Sequence, residues 1–359
     1  MTNSREALFA PLQVGDIACR NRIFMAPMTR SRADERDCPT ALHVEYYRQR
    51  SSAGLIFSEG IQPSPNGKGY ARTPGLHSSQ QVDAWRAVTD AVHLRGGAIV
   101  AQLMHTGRIA THYNKSPGAR TVAPCAIRAN VELFTDVAGM QPCDTPDALS
   151  AAGIADVVNE YATAATLARE AGFDGVELHC TSGYLPMQFM AHNTNLRTDG
   201  YGGSTIGRIR FVVEVLQALC EAIGSGRVGL RICPGNPFND VLDFDPIDTH
   251  RTLLESIRSL RCGWVHVIAS PDKSLDAFSL VRTEFDGCVI LNDGFNGSSA
   301  AAAIESNQGD AVSFGRHFIA NPDLVERIAA DIELAPFDRK TLYSPGARGY
   351  TDYPVGQKA

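Results

Sequence analysis

No stretch of the 359 residues approaches the ~18 apolar residues of a membrane span, so no membrane partner is expected. There is no block of basic residues either. Lysine and arginine number 33 against 39 acidic residues, for a net charge of -6, which leaves no electrostatic footprint for nucleic acid or an anionic surface. Nine cysteines are present, an odd number, and none forms a Cys-x-x-Cys pair. That pattern argues against a disulfide framework and a zinc site, and it fits thiols kept reduced in a cytosol. Met1–Ala10 lacks the apolar core of a secretory signal. Together these absences point to a cytoplasmic protein whose partners are small molecules.

What is present is a large apolar fraction, 44% of residues against 20% charged, enough to bury a substantial core. Strand-like and helix-like segments alternate along the chain. A turn at Val14-Gly15-Asp16 predicts a hairpin that could plug a barrel floor, leading into a first strand at Arg22–Ala26. Helical composition over Ala41–Ala53 precedes a second strand, Leu55–Phe57, ending at Ser58-Glu59-Gly60. A third strand, Ala98–Leu103, follows a helix over Gln80–Leu94. Between Met104 and Thr145 the pattern dissolves into Pro, Gly, Asn and Thr without a period, which reads as a long excursion at the barrel mouth. Ser150 then suits the N-cap of a helix closed by Gly172, before strand four at Gly175. Strands five to eight fall at Val228–Ile232, Trp264–Ile268, Cys288–Leu291 and Ala311–Phe314, with helical stripes between. No linker interrupts them. The fold class is α/β: a single (β/α)8 TIM barrel over residues 1–359, with an N-terminal β-hairpin cap and a long excursion after strand three.

Barrels of this kind carry their chemistry at the C-terminal ends of the strands. Strand four ends in His179 and is followed by Ser182, Gly183 and Tyr184, an imidazole, a hydroxyl and a phenol within one turn. Arg231 ends strand five, Gln102 ends strand three and Thr29 follows strand one. Strand seven ends Asn292-Asp293-Gly294 and strand eight ends Phe314-Gly315-Arg316, the corner where such barrels bind phosphate through backbone N–H groups. The ring suits a flat ligand with one phosphate.

These segments resemble one family along the whole chain: the old yellow enzymes, FMN-dependent ene-reductases on a (β/α)8 barrel. The blocks that carry the likeness are Ala26-Pro27-Met28-Thr29-Arg30, Gly54–Gly60, Gln102–Arg108, Gly175–Gly183, Arg197–Ser204, Phe314–Leu324 and Gly349–Pro354. The resemblance implies a noncovalent FMN contacted by Pro27, Met28, Thr29, Gly60, Gln102, His179 and Arg231, with its phosphate near Asp293, Gly294, Gly315 and Arg316. It implies His179 and Ser182 as anchors for a substrate oxygen, Tyr184 as proton donor, and Tyr70, Met104 and Tyr343 as pocket walls. The implied reaction takes reducing equivalents from NADPH or NADH to the activated C=C bond of an enone, in a monomer or homodimer. The physics agrees. Donors aimed at the carbonyl oxygen stabilise charge that develops in the transition state, and a phenol can supply the proton to the α-carbon.

Three positions depart from the family pattern. Ser182 stands where relatives carry Asn or His, Met104 where many carry Trp, and Asp293 where Gly is usual. A serine hydroxyl is shorter than an amide and offers one donor proton, which predicts a weaker or displaced anchor, and Met104 predicts a wider pocket. Ser182 also keeps open an alternative function, a flavin-dependent desaturase or isomerase acting on a specialised natural-product intermediate.

Overall fold

The computed structural model describes residues 5–356, so the first four residues of Met1–Ala10 lie outside it. A short helix α1 (Glu6–Phe9) and an antiparallel hairpin, β1 (Leu12–Val14) with β2 (Ile17–Cys19), precede β3 (Ile23–Met25). The chain continues through α2 (Ala41–Gln49), β4 (Ile56–Ile61), α3 (Ser79–His93) and β5 (Ile99–Leu103). The excursion then holds β6 (Val122–Ala123), β7 (Glu132–Thr135), β8 (Gly139–Pro142) and β9 (Asp147–Ala148). Next come α4 (Ala151–Glu170), β10 (Gly175–Cys180), α5 (Leu185–Met190), α6 (Thr205–Ile223) and β11 (Val228–Ile232). The last elements are α7 (Pro246–Ile257), β12 (Trp264–Ile268), α8 (Ala277–Glu284), β13 (Cys288–Asn292), α9 (Gly297–Glu305), β14 (Ala311–Phe314), α10 (Arg316–Ala320) and α11 (Leu324–Ala330).

Eight parallel strands, β3-β4-β5-β10-β11-β12-β13-β14, close into a barrel, β14 pairing back onto β3. Helices cover the outside, so the strands are buried on both faces and read as near-continuous apolar runs. Polar caps set the helix starts. Ser150 accepts from Gly153 N at 3.1 Å to begin α4, and Ser204 accepts from Gly207 N at 3.2 Å to begin α6. The hairpin plugs the floor as expected: Val14 and Ile17 pack with Phe24, Phe57, Val100, Trp264 and Ile290 in one buried cluster. Gly229 makes room for the Trp264 indole, since a Cβ there would stand 1.9 Å from it.

Several boundaries differ from the sequence reading. The excursion is not structureless. It forms a β7–β8 hairpin and a parallel β6–β9 pair, and the alternation that marks β7 lasts only four residues, too short to stand out. Helix α2 stops at Gln49, where the Arg50 guanidinium turns inward to the carbonyls of Tyr46, Phe318 and Ile319 at 2.8–2.9 Å. β4 runs on to Ile61 through a register shift between Phe57 and Gly60, so Gly60 lies within the strand. Helix α5, directly after Tyr184, was not anticipated.

Beyond α11 the chain returns to the barrel mouth as a strap held by two buried arginines. Arg30 donates to the carbonyls of Leu342 (3.2 Å) and Gly349 (2.7 Å), and Arg32 to those of Thr341 (2.9 Å) and Leu342 (2.7 Å). Tyr350 stacks on Tyr46 with centroids 4.1 Å apart, and both guanidinium groups lie over its ring. No helix of the described residues is long and apolar enough to cross a membrane.

Candidate active site

The site is built upward from a buried carboxylate. Glu177 lies inside the barrel on β10 and receives Gln102 Nε2 at 2.9 Å, Trp264 Nε1 at 3.1 Å and His266 Nδ1 at 2.9 Å. The other His266 nitrogen, Nε2, is 2.7 Å from Ser313 Oγ, a pattern satisfied by a neutral imidazole with its proton on Nδ1. Burial pushes the Glu177 carboxyl up, but His266 and Arg231 outweigh it and hold the group below the usual range, so it stays ionised. Arg231 stands beside His179 in the β10–β11 register. It donates to Asn292 Oδ1 at 2.7 Å, while its Nε is buried without a partner among the described residues. Burial lowers its pKa, and Glu177 opposes that loss. An arginine remains charged under both influences.

Above this layer a cavity of about 840 Å³ is lined by Pro27, Met28, Arg231, Asp293, Gly294, Gly315 and Arg316, among others. Its size lies within the ordinary range for cofactor sites. At its outer end Asp293 and Gly294 take positive φ, +76° and +81°, and the chain turns into α10 at Gly315. The first N–H groups of that turn have no intrahelical acceptor. Asp293 does not point away from the corner: Arg316 donates to its Oδ1 at 2.9 Å. The cation assigned to a phosphate is thus engaged by a neighbouring carboxylate. The residues still fit FMN, because the unpartnered Arg231 nitrogen and the unpartnered His179 Nδ1 are buried donor or acceptor groups awaiting a polar ligand.

A second cavity, about 590 Å³, is lined by Thr29, Tyr70, Tyr184, Tyr343, Phe134 and Phe238 with others. The hydroxyl of Tyr184 donates to that of Tyr70 at 3.0 Å, and its ring centroid lies 5.2 Å from that of His179. Burial, then Tyr70, raises the Tyr184 phenol well above its ordinary value, so it stays protonated. Burial, then Arg231 and His266, drives His179 well below the usual imidazole range, so it is neutral and carries one N–H. Met104 packs with Tyr184, Ile109 and Leu133, and its thioether fills the space that a Cβ on Gly60 would need.

Ser182 sits at φ +58°, a conformation that Asn adopts more readily than Ser. Gly60, Gln102, Met104, His179 and Ser182 border neither of these two cavities. They form the floor and the turn next to them. Tyr343 is 60% exposed, at the rim rather than in the wall. Sequence reasoning missed Glu177, which accepts from Gln102, and His266, which is bonded to Glu177, and it read Asn292 only as the end of strand seven, not as the acceptor that holds Arg231. It also missed Asn239, whose amide donates to Ser182 O at 2.8 Å and which lies close enough to both tyrosine hydroxyls to oppose the rise in their pKa. Its positive φ of +63° in the loop after β11 was the one local hint, and only coordinates reveal it.

The geometry can be set beside known proteins. The profile of the NADH:flavin oxidoreductase / NADH oxidase family matches residues 7–335. The chain belongs to that family. A probable flavin mononucleotide-dependent alkene reductase of Leishmania infantum is 41% identical over 361 residues, covering 98% of each chain. Morphinone reductase, solved in complex with tetrahydroNAD, superposes with a TM-score of 0.94 at 40% identity and 98% coverage of both chains. The old yellow enzyme from Trypanosoma cruzi gives a TM-score of 0.94 at 33% identity, covering 99% of this chain and 100% of its own. This member of the old yellow enzyme family is therefore an oxidoreductase with FMN as its cofactor and a nicotinamide coenzyme as its reductant.

Two outcomes follow from the electrostatics. Burial holds His179 and His266 low, and it takes His105 down to about 3. In the unfolded chain all three take up protons below about pH 6.5. The unfolded state then binds more protons, so stability falls with pH below that value, by up to ~1.4 kcal/mol per pH unit for each imidazole. His93, raised by Asp174, acts oppositely only above this window. Urea midpoints measured from about pH 7 to about pH 5, above the carboxylate range, should therefore drop steadily, and a flat profile would contradict neutral buried imidazoles. Second, Asp293→Gly should tighten FMN binding, because it frees Arg316, removes a like charge near the phosphate and relieves a left-handed aspartate. Both partners are more than half exposed, so the gain is about two- to fivefold and shrinks in high salt. Titration of the apoprotein with FMN measures it.

Proposed function

We propose that this chain, reduced through its FMN by NADPH or NADH, reduces the activated C=C bond of α,β-unsaturated carbonyl compounds. We take it as one catalytic domain acting in the cytoplasm as a monomer or homodimer. The observation that carries the reaction is the closeness of a buried, protonated Tyr184, which lines the second cavity, to a neutral His179 next to it, their ring centroids 5.2 Å apart. The printed names of relatives, an alkene reductase and a morphinone reductase bound to tetrahydroNAD, support the same class.

When bound, FMN supplies a hydride to the β-carbon. The protein supplies the rest. The single N–H of neutral His179 donates to the substrate carbonyl oxygen, and the Ser182 hydroxyl is the second donor, shorter in reach than an amide. These donors matter most as negative charge gathers on that oxygen. Tyr184 then gives its proton to the α-carbon, and the Tyr70 hydroxyl, 3.0 Å away, can reorient to donate to the phenolate left behind. Arg231 holds a fixed positive charge at the cofactor, fed into position by Asn292. Pro27, Met28, Thr29, Gly60, Gln102, Gly294, Gly315 and Arg316 shape the cofactor's bed, while Met104 and Tyr343 bound the space for substrate.

The test is anaerobic stopped flow of the yellow holoenzyme, with reduction by NADPH and reoxidation by cyclohexenone timed separately. Tyr184→Phe should leave reduction nearly intact and slow reoxidation by ~10²-fold or more. Equal loss in both half-reactions would make Tyr184 a ligand-positioning residue, not the acid. Ser182→Asn should relax the left-handed backbone and restore an amide donor. Phenol binding, followed by the change in the visible flavin spectrum, should tighten by up to ~10²-fold, the scale of one oxyanion donor. Wild-type binding as tight as that of the Asn variant would show that Ser182 is no weakened anchor.

A further inference from the structure

Arg339 and Lys340 begin the strap that returns over the barrel mouth. Arg339 borders both the cofactor cavity and the substrate pocket, and Lys340 borders the substrate pocket. Both side chains are exposed, and neither charged end makes an ion pair or hydrogen bond among the described residues. The other arginines of the two cavities each already hold a side-chain partner. Arg72 is paired with Asp136 and donates to the carbonyls of Ser31 and Tyr343, Arg316 is held by Asp293, and Arg231 by Asn292. One carboxylate, Glu132, is among the residues that line the substrate pocket.

The ledge that carries the two cations is fixed. Asp338 Oδ1 accepts Lys340 N at 2.9 Å, and Arg32 grips the carbonyls of Thr341 and Leu342 just beyond. Exposed and without a side-chain partner among the described residues, the two cations have no evident part in holding the fold. The ledge sets two cations against the single carboxylate of Asp338, and a positive excess of that kind draws in anions. The pocket is therefore graded, with the aromatic pair Tyr70 and Tyr184 deep inside and uncommitted cations at the rim. A ligand that matches has a flat ring at one end and phosphate at the other.

We propose that Arg339 and Lys340 form an anion-recognition rim for the phosphates of the reduced nicotinamide dinucleotide, so that the nicotinamide enters toward Tyr184 while the phosphates stay outside. This rests on the functional reading above, and it names the residues that would select the natural reductant. A rim of this kind acts on affinity and capture. It leaves the limiting rate of flavin reduction alone, since neither cation reaches the reacting atoms.

The test uses the holoenzyme with Arg339→Gln, Lys340→Gln and the double variant, all at exposed positions, with FMN content as the check on folding. Anaerobic flavin reduction is followed against concentration of NADPH, NADH and 1-benzyl-1,4-dihydronicotinamide, a reductant without phosphate. Each single variant should raise the apparent dissociation constant for NADPH about two- to fivefold, and the double variant on the order of tenfold, with the limiting rate unchanged. The difference should fade as salt is raised, and the phosphate-free reductant should be unaffected. A larger loss for NADPH than NADH assigns the rim to the 2′-phosphate, and equal losses assign it to the pyrophosphate; either supports the proposal. Unchanged constants overturn it, as does an equal loss with the phosphate-free reductant, which would mean a displaced strap. An effect confined to a carboxylate-bearing enone, absent with its methyl ester, overturns it in favour of the substrate. Wild-type reoxidation by cyclohexenone, timed in the same apparatus, tests the ene-reductase reading independently: its failure leaves the rim data intact, and the reverse also holds.

Discussion

A carboxylate sealed inside a barrel is expensive unless its neighbours compensate, and the interior of this molecule is arranged around that requirement. Glu177 is fully buried and ionised, and losing one partner of such a group typically costs about 3–5 kcal/mol. Three side chains from two other strands therefore turn toward it, Gln102 from β5 and Trp264 and His266 from β12. Their orientation is set before any ligand arrives. Arg231 supplies the opposing charge, and what it and His179 have left over, including one fully buried unpartnered nitrogen each among the described residues, is what the protein can offer to a cofactor. Preorganisation of this kind spares the site the cost of reorienting donors during the reaction.

The same arrangement sorts the protonation states of His179 and Tyr184. His179 lies against Arg231 and near His266, and a buried imidazole next to positive charge gives up its proton. Tyr184 lies in an apolar cluster with Met104 and Leu133 and keeps its own. One residue is thereby suited to donating a hydrogen bond and the other to donating a proton, although both stand within one turn at the end of one strand. Environment, more than residue type, divides the labour.

Farther out, charge is handled differently. Where β13 and β14 end, Asp293 and Arg316 are mutually satisfied on an exposed surface, where such pairs are weak and exchangeable. At the mouth the strap depends on Arg30 and Arg32, whose guanidinium groups satisfy carbonyls more than 300 residues away in sequence. The loop bearing Thr29 and the rim bearing Tyr343 are thereby joined as one unit, so the two cavities share a wall.

Much of this was legible in the chain itself. Strands five, six and eight were read at their observed bounds because apolar runs of four or five residues bounded by Gly and helical stripes leave little choice. Ser150 and Gly172 marked helix ends for local reasons, a side-chain acceptor in one case and a φ of +88° in the other. The sequence by itself determined the order of the eight barrel strands, the group His179, Ser182 and Tyr184 at one strand end, and the family pattern with its three departures. It could not reveal Glu177, which reads as one polar residue in an apolar strand until closure of the barrel brings three donors around it. Nor could it reveal Asn239 against Ser182, 57 residues apart, or the pairing of Asp293 with Arg316. Those features, and with them the charge on His179 and the proton on Tyr184, depend on burial and on distances between remote segments. Local pattern carries backbone preference, whereas electrostatics inside a low-dielectric core belongs to the assembled whole.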